Sequence, residues 1–156
     1  MLLEGFFLIL TPDSVKESNQ IRLPFGDGKT SPVAVEDVAR VIATLLADPP
    51  PHIGETYHLT GPQSENMDFF AQEYSKALGR TINYQDIPVE PWRDGLLKRG
   101  LPIHLVHHLA TMADLHRAGR YDRISEDVLT ITGQAPMSVQ EFVRKCGHIH
   151  CVGKAA

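Results

Sequence analysis

The sequence predicts an α/β fold in which short apolar strands alternate with amphipathic helices, and three observations carry that expectation. Residues 26–40 read as a tight Gly-Asp-Gly turn, a short strand centred on Val33 and Val35, and a helix opened by Glu36 and Asp37. Through the later chain, strand-like and helix-like segments follow one another without hairpin signals, as in parallel-sheet folds. Near the end, Ser138 and Glu141 have the spacing of a capping box, flanked by Met137 and Phe142 as a hydrophobic staple.

Taken in order, residues 2–10 form an apolar run broken by Thr11-Pro12-Asp13, and its pattern suits either a strand end or the start of a buried helix. Residues 20–24 read as a strand. In the turn that follows, Gly26 and Gly28 can both take positive φ without steric cost. The helix over 36–47 carries Val38, Ile42, Leu45 and Leu46 on one stripe. Asp37 is placed to cap its start or complement its dipole, and Asp48-Pro49-Pro50-Pro51 ends it.

Residues 56–59 read as a strand turning out through Thr60-Gly61-Pro62. Phe70, Tyr74, Ala77 and Leu78 repeat helical spacing, with Ser64 or Asn66 as the cap and Gly79 as the stop. Residues 81–87 alternate as a strand. A helix with Pro91 in its first turn, Trp92 and Leu96 on one face and Gly100 at its close comes next. Pro102 then opens a helix whose face carries Leu105, Leu109 and Met112, and Gly119 ends it.

Composition narrows the classes. A chain of 156 residues, 42% hydrophobic and 22% charged, falls in the soluble globular range, and with no internal repeat or long linker it reads as one unit over 1–156. Its net charge of -4 gives no electrostatic reason to bind nucleic acid. Residues 1–10 lack a basic n-region and a small-residue cleavage site, and no apolar run is long enough to span a membrane. Two cysteines, close together at Cys146 and Cys151, cannot staple a fold of this size, so a reducing cytoplasm is the expected setting.

Two histidine groups invite a metal reading. His104 and His108 stand at i and i+4 beside His107, but no glutamate completes a His-Glu-x-x-His pattern, so these read as solvated helix surface. The run Cys146-Gly147-His148-Ile149-His150-Cys151 offers four ligands from one segment, whereas structural zinc draws pairs from two. It reads as a frayed tail, and no metal is expected.

Catalytic motifs are absent. Gly26-x-Gly28 precedes a strand and lacks the third glycine of a pyrophosphate loop. Neither Tyr74, with Leu78 four residues on, nor Tyr84, with Pro88, has the lysine of a reductase proton donor. No residue is assigned to catalysis.

Several stretches together resemble the NmrA-like branch of the atypical short-chain dehydrogenase/reductases. They are Gly26-Asp27-Gly28-Lys29 with Val35-Glu36-Asp37-Val38-Ala39, Tyr57-His58-Leu59-Thr60-Gly61-Pro62, Gly100-Leu101-Pro102, Ala118-Gly119-Arg120, and the Pro136-x-Ser138-x-x-Glu141-Phe142-Val143 helix. The resemblance runs through nearly the whole chain. It implies the C-terminal part of a Rossmann-like fold with a helical substrate lobe, the first βαβ cofactor motif being absent from this chain.

The family's run Arg-Pro-x-Phe-Phe-Met-x-Asn passes beside the nicotinamide. Here it is matched by Phe6 and Phe7, with Glu4 in place of the proline and Leu10 in place of the asparagine. Phe6 and Phe7 are therefore the implied cofactor-binding residues, and NADP or NAD is the implied cofactor.

Residues 29–34 contain no arginine to match a sugar-nucleotide diphosphate, which favours a small aromatic or quinone-like substrate. Phe25 and Trp92 are the candidate substrate-binding residues, although either ring can equally serve the core. Intact relatives are implied to be NAD(P)H-dependent oxidoreductases or redox-sensing regulators. The chain alone is expected to be inactive, or to be a binding module that associates with a second copy or a separate cofactor-binding half.

Overall fold

A computed structural model of the protein describes residues 1–150. The chain opens with an isolated parallel bridge between Leu2 and Val33, then winds through a π-helical segment, Gly5–Leu10, into helix α1, Pro12–Ser18. The apolar run is thus helical for most of its length. Asn19, at φ 56°, turns the chain out of α1 into strand β1, Gln20–Leu23.

Further along come α2 (Val35–Ala47), α3 (Met67–Leu78), strand β2 (Asn83–Asp86), α4 (Val89–Lys98), α5 (Ile103–Arg117), α6 (Asp127–Thr132), α7 (Val139–Lys145) and a last turn, α8 (Gly147–His150). β1 and β2 pair in parallel, Gln20 opposite Asn83 and Leu23 opposite Asp86. Ile21 and Leu23 point inward while Arg22 faces solvent, as the two-residue period of a strand dictates.

Two expected strands take a different form. Val33 makes only the single bridge to Leu2, and Val35 already begins α2. Residues 56–59 form no ladder, and at His58 side chains take both backbone groups: its N–H donates to Asp127 Oδ2 at 2.6 Å, and the Ser125 hydroxyl donates to its carbonyl.

Caps follow the local sequence closely. Asn66 Oδ1 accepts the Phe69 N–H at 3.0 Å, so Asn66 is the α3 cap and Gly79 its left-handed stop, whereas Ser64 donates to Asp122. The Ser138–Glu141 capping box is present in both directions. At α2 the first N–H, that of Val35, is instead taken by the Glu4 carboxylate at 3.1 Å. Asp37 is neither cap nor exposed helix charge. It is buried, accepting the Met137 N–H at 2.7 Å and pairing with Arg40 at 2.6 Å.

The main core centres on Phe7, whose ring lies 5.1 Å from Tyr74, 6.1 Å from Phe70 and 6.5 Å from Phe142. Leu3, Val15, Ile21 and Leu23 belong to it, as do Phe25 and Trp92. A smaller cluster of Val33, Val41 and Val128 joins α2 to α6, with Val38 and Leu45 against it. The predicted α2 stripe is therefore split: Val38 and Leu45 pack inward, while Ile42 is 50% and Leu46 73% exposed.

Candidate functional site

The helical lobe builds an apolar cavity of about 280 Å³ between the N-terminal segment and α4 and α5. Phe25 and Trp92, the two rings singled out in the sequence, come together in its wall with Leu101, Leu105, Leu109 and Met112. α5 makes this wall because it has two working faces. Val106, Ala113 and His116 are buried against the body of the protein, whereas Leu105 is 38% exposed and, with Leu109 and Met112, faces the cavity.

Phe25 is fixed from behind. The His116 imidazole stacks on its ring at 4.4 Å and 7°. Burial lowers the His116 pKa to about 4, so the ring is neutral at pH 7. The Phe25 N–H donates to the Tyr84 hydroxyl at 3.2 Å, and that hydroxyl donates to the Leu23 carbonyl at 3.0 Å. Burial, then the Asp86 charge, raises the Tyr84 pKa, so the phenol stays protonated.

The Arg117 guanidinium reaches both Asp86 oxygens and the Pro24 carbonyl, and the Gly26 N–H donates to Asp86 Oδ1 at 3.1 Å. Burial would raise the Asp86 pKa, but Arg117 and the Gly26 N–H together leave it lowered.

Gly26 has the positive φ, 54°, that the turn needs. Gly28 does not. It is glycine because a Cβ there would sit 2.1 Å from the His116 carbonyl oxygen.

A second, polar cleft of about 260 Å³ adjoins the cavity, Met1 lining both. Thr30, Ser31, Tyr57, Thr60 and Tyr121 line it, together with Arg123.

Of the implied cofactor residues, Phe7 is a fully buried core ring, and the Phe6 side chain lies outside what the structure describes. A dinucleotide cradle needs glycines that open a helix toward the pyrophosphate. Gly28 is closed off by His116, and no helix follows the turn directly, so the described residues do not fit a whole dinucleotide. His104, His107 and His108 are exposed on α5. In the terminal run, the side chains of His148 and His150 and all of Cys151 lie outside the described residues.

His116, Arg117, Asp86 and Tyr84 are absent from the sequence-based candidates. A helical-period reading of Val106, Ala113 and His116 could have placed His116 on the buried face. The other three act through contacts across the fold, for which no local pattern exists.

No family model matches the chain. It is 26% identical to the uncharacterized oxidoreductase YesF of Bacillus subtilis over 90% of this chain and 49% of that protein. It is 27% identical to the NAD(P)H azoreductase of Xenophilus azovorans over 90% of this chain and 50% of that one. The Citrobacter sp. triphenylmethane reductase, complexed with NADP(H), superposes at a TM-score of 0.79 with 22% identity, covering 93% of this chain and 50% of the reductase.

The chain has the fold of the C-terminal half of Rossmann-like NAD(P)-binding reductases. An NADPH-dependent quinone oxidoreductase from Escherichia coli shares this half-fold at a TM-score of 0.76 with 21% identity, over 94% of this chain and 52% of that one. The chain spans about half the length of the relatives it matches.

Proposed function

We propose that this chain is the acceptor-binding lobe of an NAD(P)H-linked oxidoreductase that acts on quinone-like or other aromatic acceptors. The carrying observation is the cavity. Phe25 and Trp92 supply flat rings and α5 supplies aliphatic side chains, the composition that takes a planar apolar molecule. Relatives and neighbours named for azo, triphenylmethane and quinone reduction support an aromatic acceptor.

In this reading the lobe binds and orients the acceptor and keeps water from it. The Phe25 wall is held by His116, Tyr84 and the Asp86–Arg117 pair. A nicotinamide cofactor would supply hydride and would be held by a Rossmann-like companion half rather than by the described residues. Helix α2 supports a companion: its inner face packs on Val128, while Val35, Ile42 and Leu46 form an outer apolar stripe. The assembly-module reading draws on the same stripe, with a second copy as the companion.

Trp92 is the sole tryptophan, so its fluorescence reports the cavity. Menadione, an uncharged naphthoquinone, should quench it saturably in the purified chain, with no NADPH-dependent turnover. An absence of saturable quenching would refute the acceptor site. Robust NADPH-dependent quinone reduction by the chain alone would refute the division of labour.

A further inference from the structure

Among the described residues that line the apolar cavity, none carries a carboxylate, amide, hydroxyl or cationic group, and the only side-chain nitrogen or oxygen is that of the Trp92 indole. The main chain offers little more. The Phe25 N–H donates to the Tyr84 hydroxyl and the Phe25 carbonyl accepts the Gly28 N–H, both at 3.2 Å, while the Leu101 N–H donates to the Leu96 carbonyl at 3.2 Å. A quinone ring wholly inside would leave at least one carbonyl oxygen without the hydrogen bonds it makes in water, whereas hydrocarbon gains from burial alone.

The cavity also has a direction. Leu2, Ile9 and Leu105 are exposed while Phe25 and Trp92 are buried, so it opens on the first three and closes on the two rings. Helix α5 follows that axis. Leu105 stands at the opening, and Met112, about 10 Å further along the helix, comes one turn before His116, the ring behind Phe25.

We infer that the acceptor enters with a hydrocarbon flank first and leaves its reducible carbonyls at the opening, facing a donor held outside this lobe. The ligand class is then an uncharged acceptor whose reducible group stands at one edge of a hydrocarbon, as in a naphthoquinone; one whose reducible bond lies at its centre, such as an azo link between two rings, does not suit. This rests on the acceptor-binding reading above.

The test uses 2-methyltetralin, which has the carbon skeleton of menadione and no oxygen. Competition is read from Trp92 fluorescence in the 156-residue protein, excited where 2-methyltetralin does not absorb. The hydrocarbon is expected to displace menadione with an affinity equal to menadione's or tighter. Displacement about tenfold weaker, or none, would show that the carbonyls are recognised inside and would overturn the inference, leaving the acceptor site standing.

Two substitutions on α5 separate the ends of the cavity. Leu105→Gln, which puts an amide donor at the opening, should favour menadione over 2-methyltetralin by about three- to tenfold, and Met112→Gln, toward the closed end, should weaken both alike. The reverse order, or no difference between the variants, would overturn the orientation; if Met112→Gln does not fold, the competition in the wild type decides. If menadione itself fails to quench saturably, the acceptor site is refuted, and this inference with it.

Discussion

Arg117 donates to both carboxylate oxygens of Asp86, at 2.6 and 2.7 Å, and through Nε to the Pro24 carbonyl at 3.0 Å. One side chain thus ties the end of α5 to the end of β2 and to the loop that carries Phe25. Both partners are partly solvated, at 38% and 42% exposure, so water screens the pair, and its worth lies in the geometry it imposes. Arg117→Ala should lower stability by about 1 kcal/mol, or roughly 3 °C in Tm, and should weaken menadione quenching of Trp92 by more than that loss of folding explains. Thermal melts and quenching titrations on one preparation check both.

Phe7 is a packing residue. Its ring is fully buried among Tyr74, Phe70 and Phe142. Phe7→Ala should cost about 3–5 kcal/mol, a large share of the stability of an ordinary domain, and Phe7→Leu considerably less. Urea unfolding followed by circular dichroism distinguishes them.

Two glycines should respond in opposite directions to alanine. At Gly28 the new Cβ would meet the His116 carbonyl oxygen at 2.1 Å, which forces the turn away from α5 and lowers Tm. At Gly95, inside α4, nothing lies within 4 Å of the new methyl group. Gly95→Ala should therefore stabilise the protein by about 0.5–1 kcal/mol through helix propensity. Paired melts of the two variants test this.

Acid should weaken the fold through His116. Burial lowers its folded pKa to about 4 from an ordinary 6.5, so between those values the unfolded chain binds a proton that the folded chain refuses. The stability is fully present above pH 6.5 and is lost as pH falls toward 4, by about 3 kcal/mol at most. Urea midpoints across that window should fall with pH. His116→Phe, which keeps a ring against Phe25 and removes the titration, should flatten the dependence.

What could be read from the sequence divides by the range of the interaction. Ser138 with Glu141 and the Gly79 stop are settled within a turn of chain, so capping chemistry places those helix ends, whereas at the start of α3 it offers Ser64 as well as Asn66. Trp92 and Phe25 are legible as rings, but their meeting in one wall depends on how α4 and α5 pack. Asp37 shows the limit. By position it is a helix-start carboxylate, yet its partner is the Met137 N–H, brought to it by the fold. The Glu4 carboxylate on the Val35 N–H is hidden in the same way. The Val33 strand has a strong local signal and becomes one bridge, because a ladder needs neighbours as well as propensity.

The parallel pairing of β1 with β2 also sets an order of events. A parallel pair cannot close through a tight turn, and Gln20 must wait for Asn83 while α2 and α3 are laid down between them. During synthesis the edge of β1 that Asn83 to Asp86 will pair stays open until the second strand follows. Helices with local caps can form at once, so collapse of the strand pair is the step expected to govern the rate of folding.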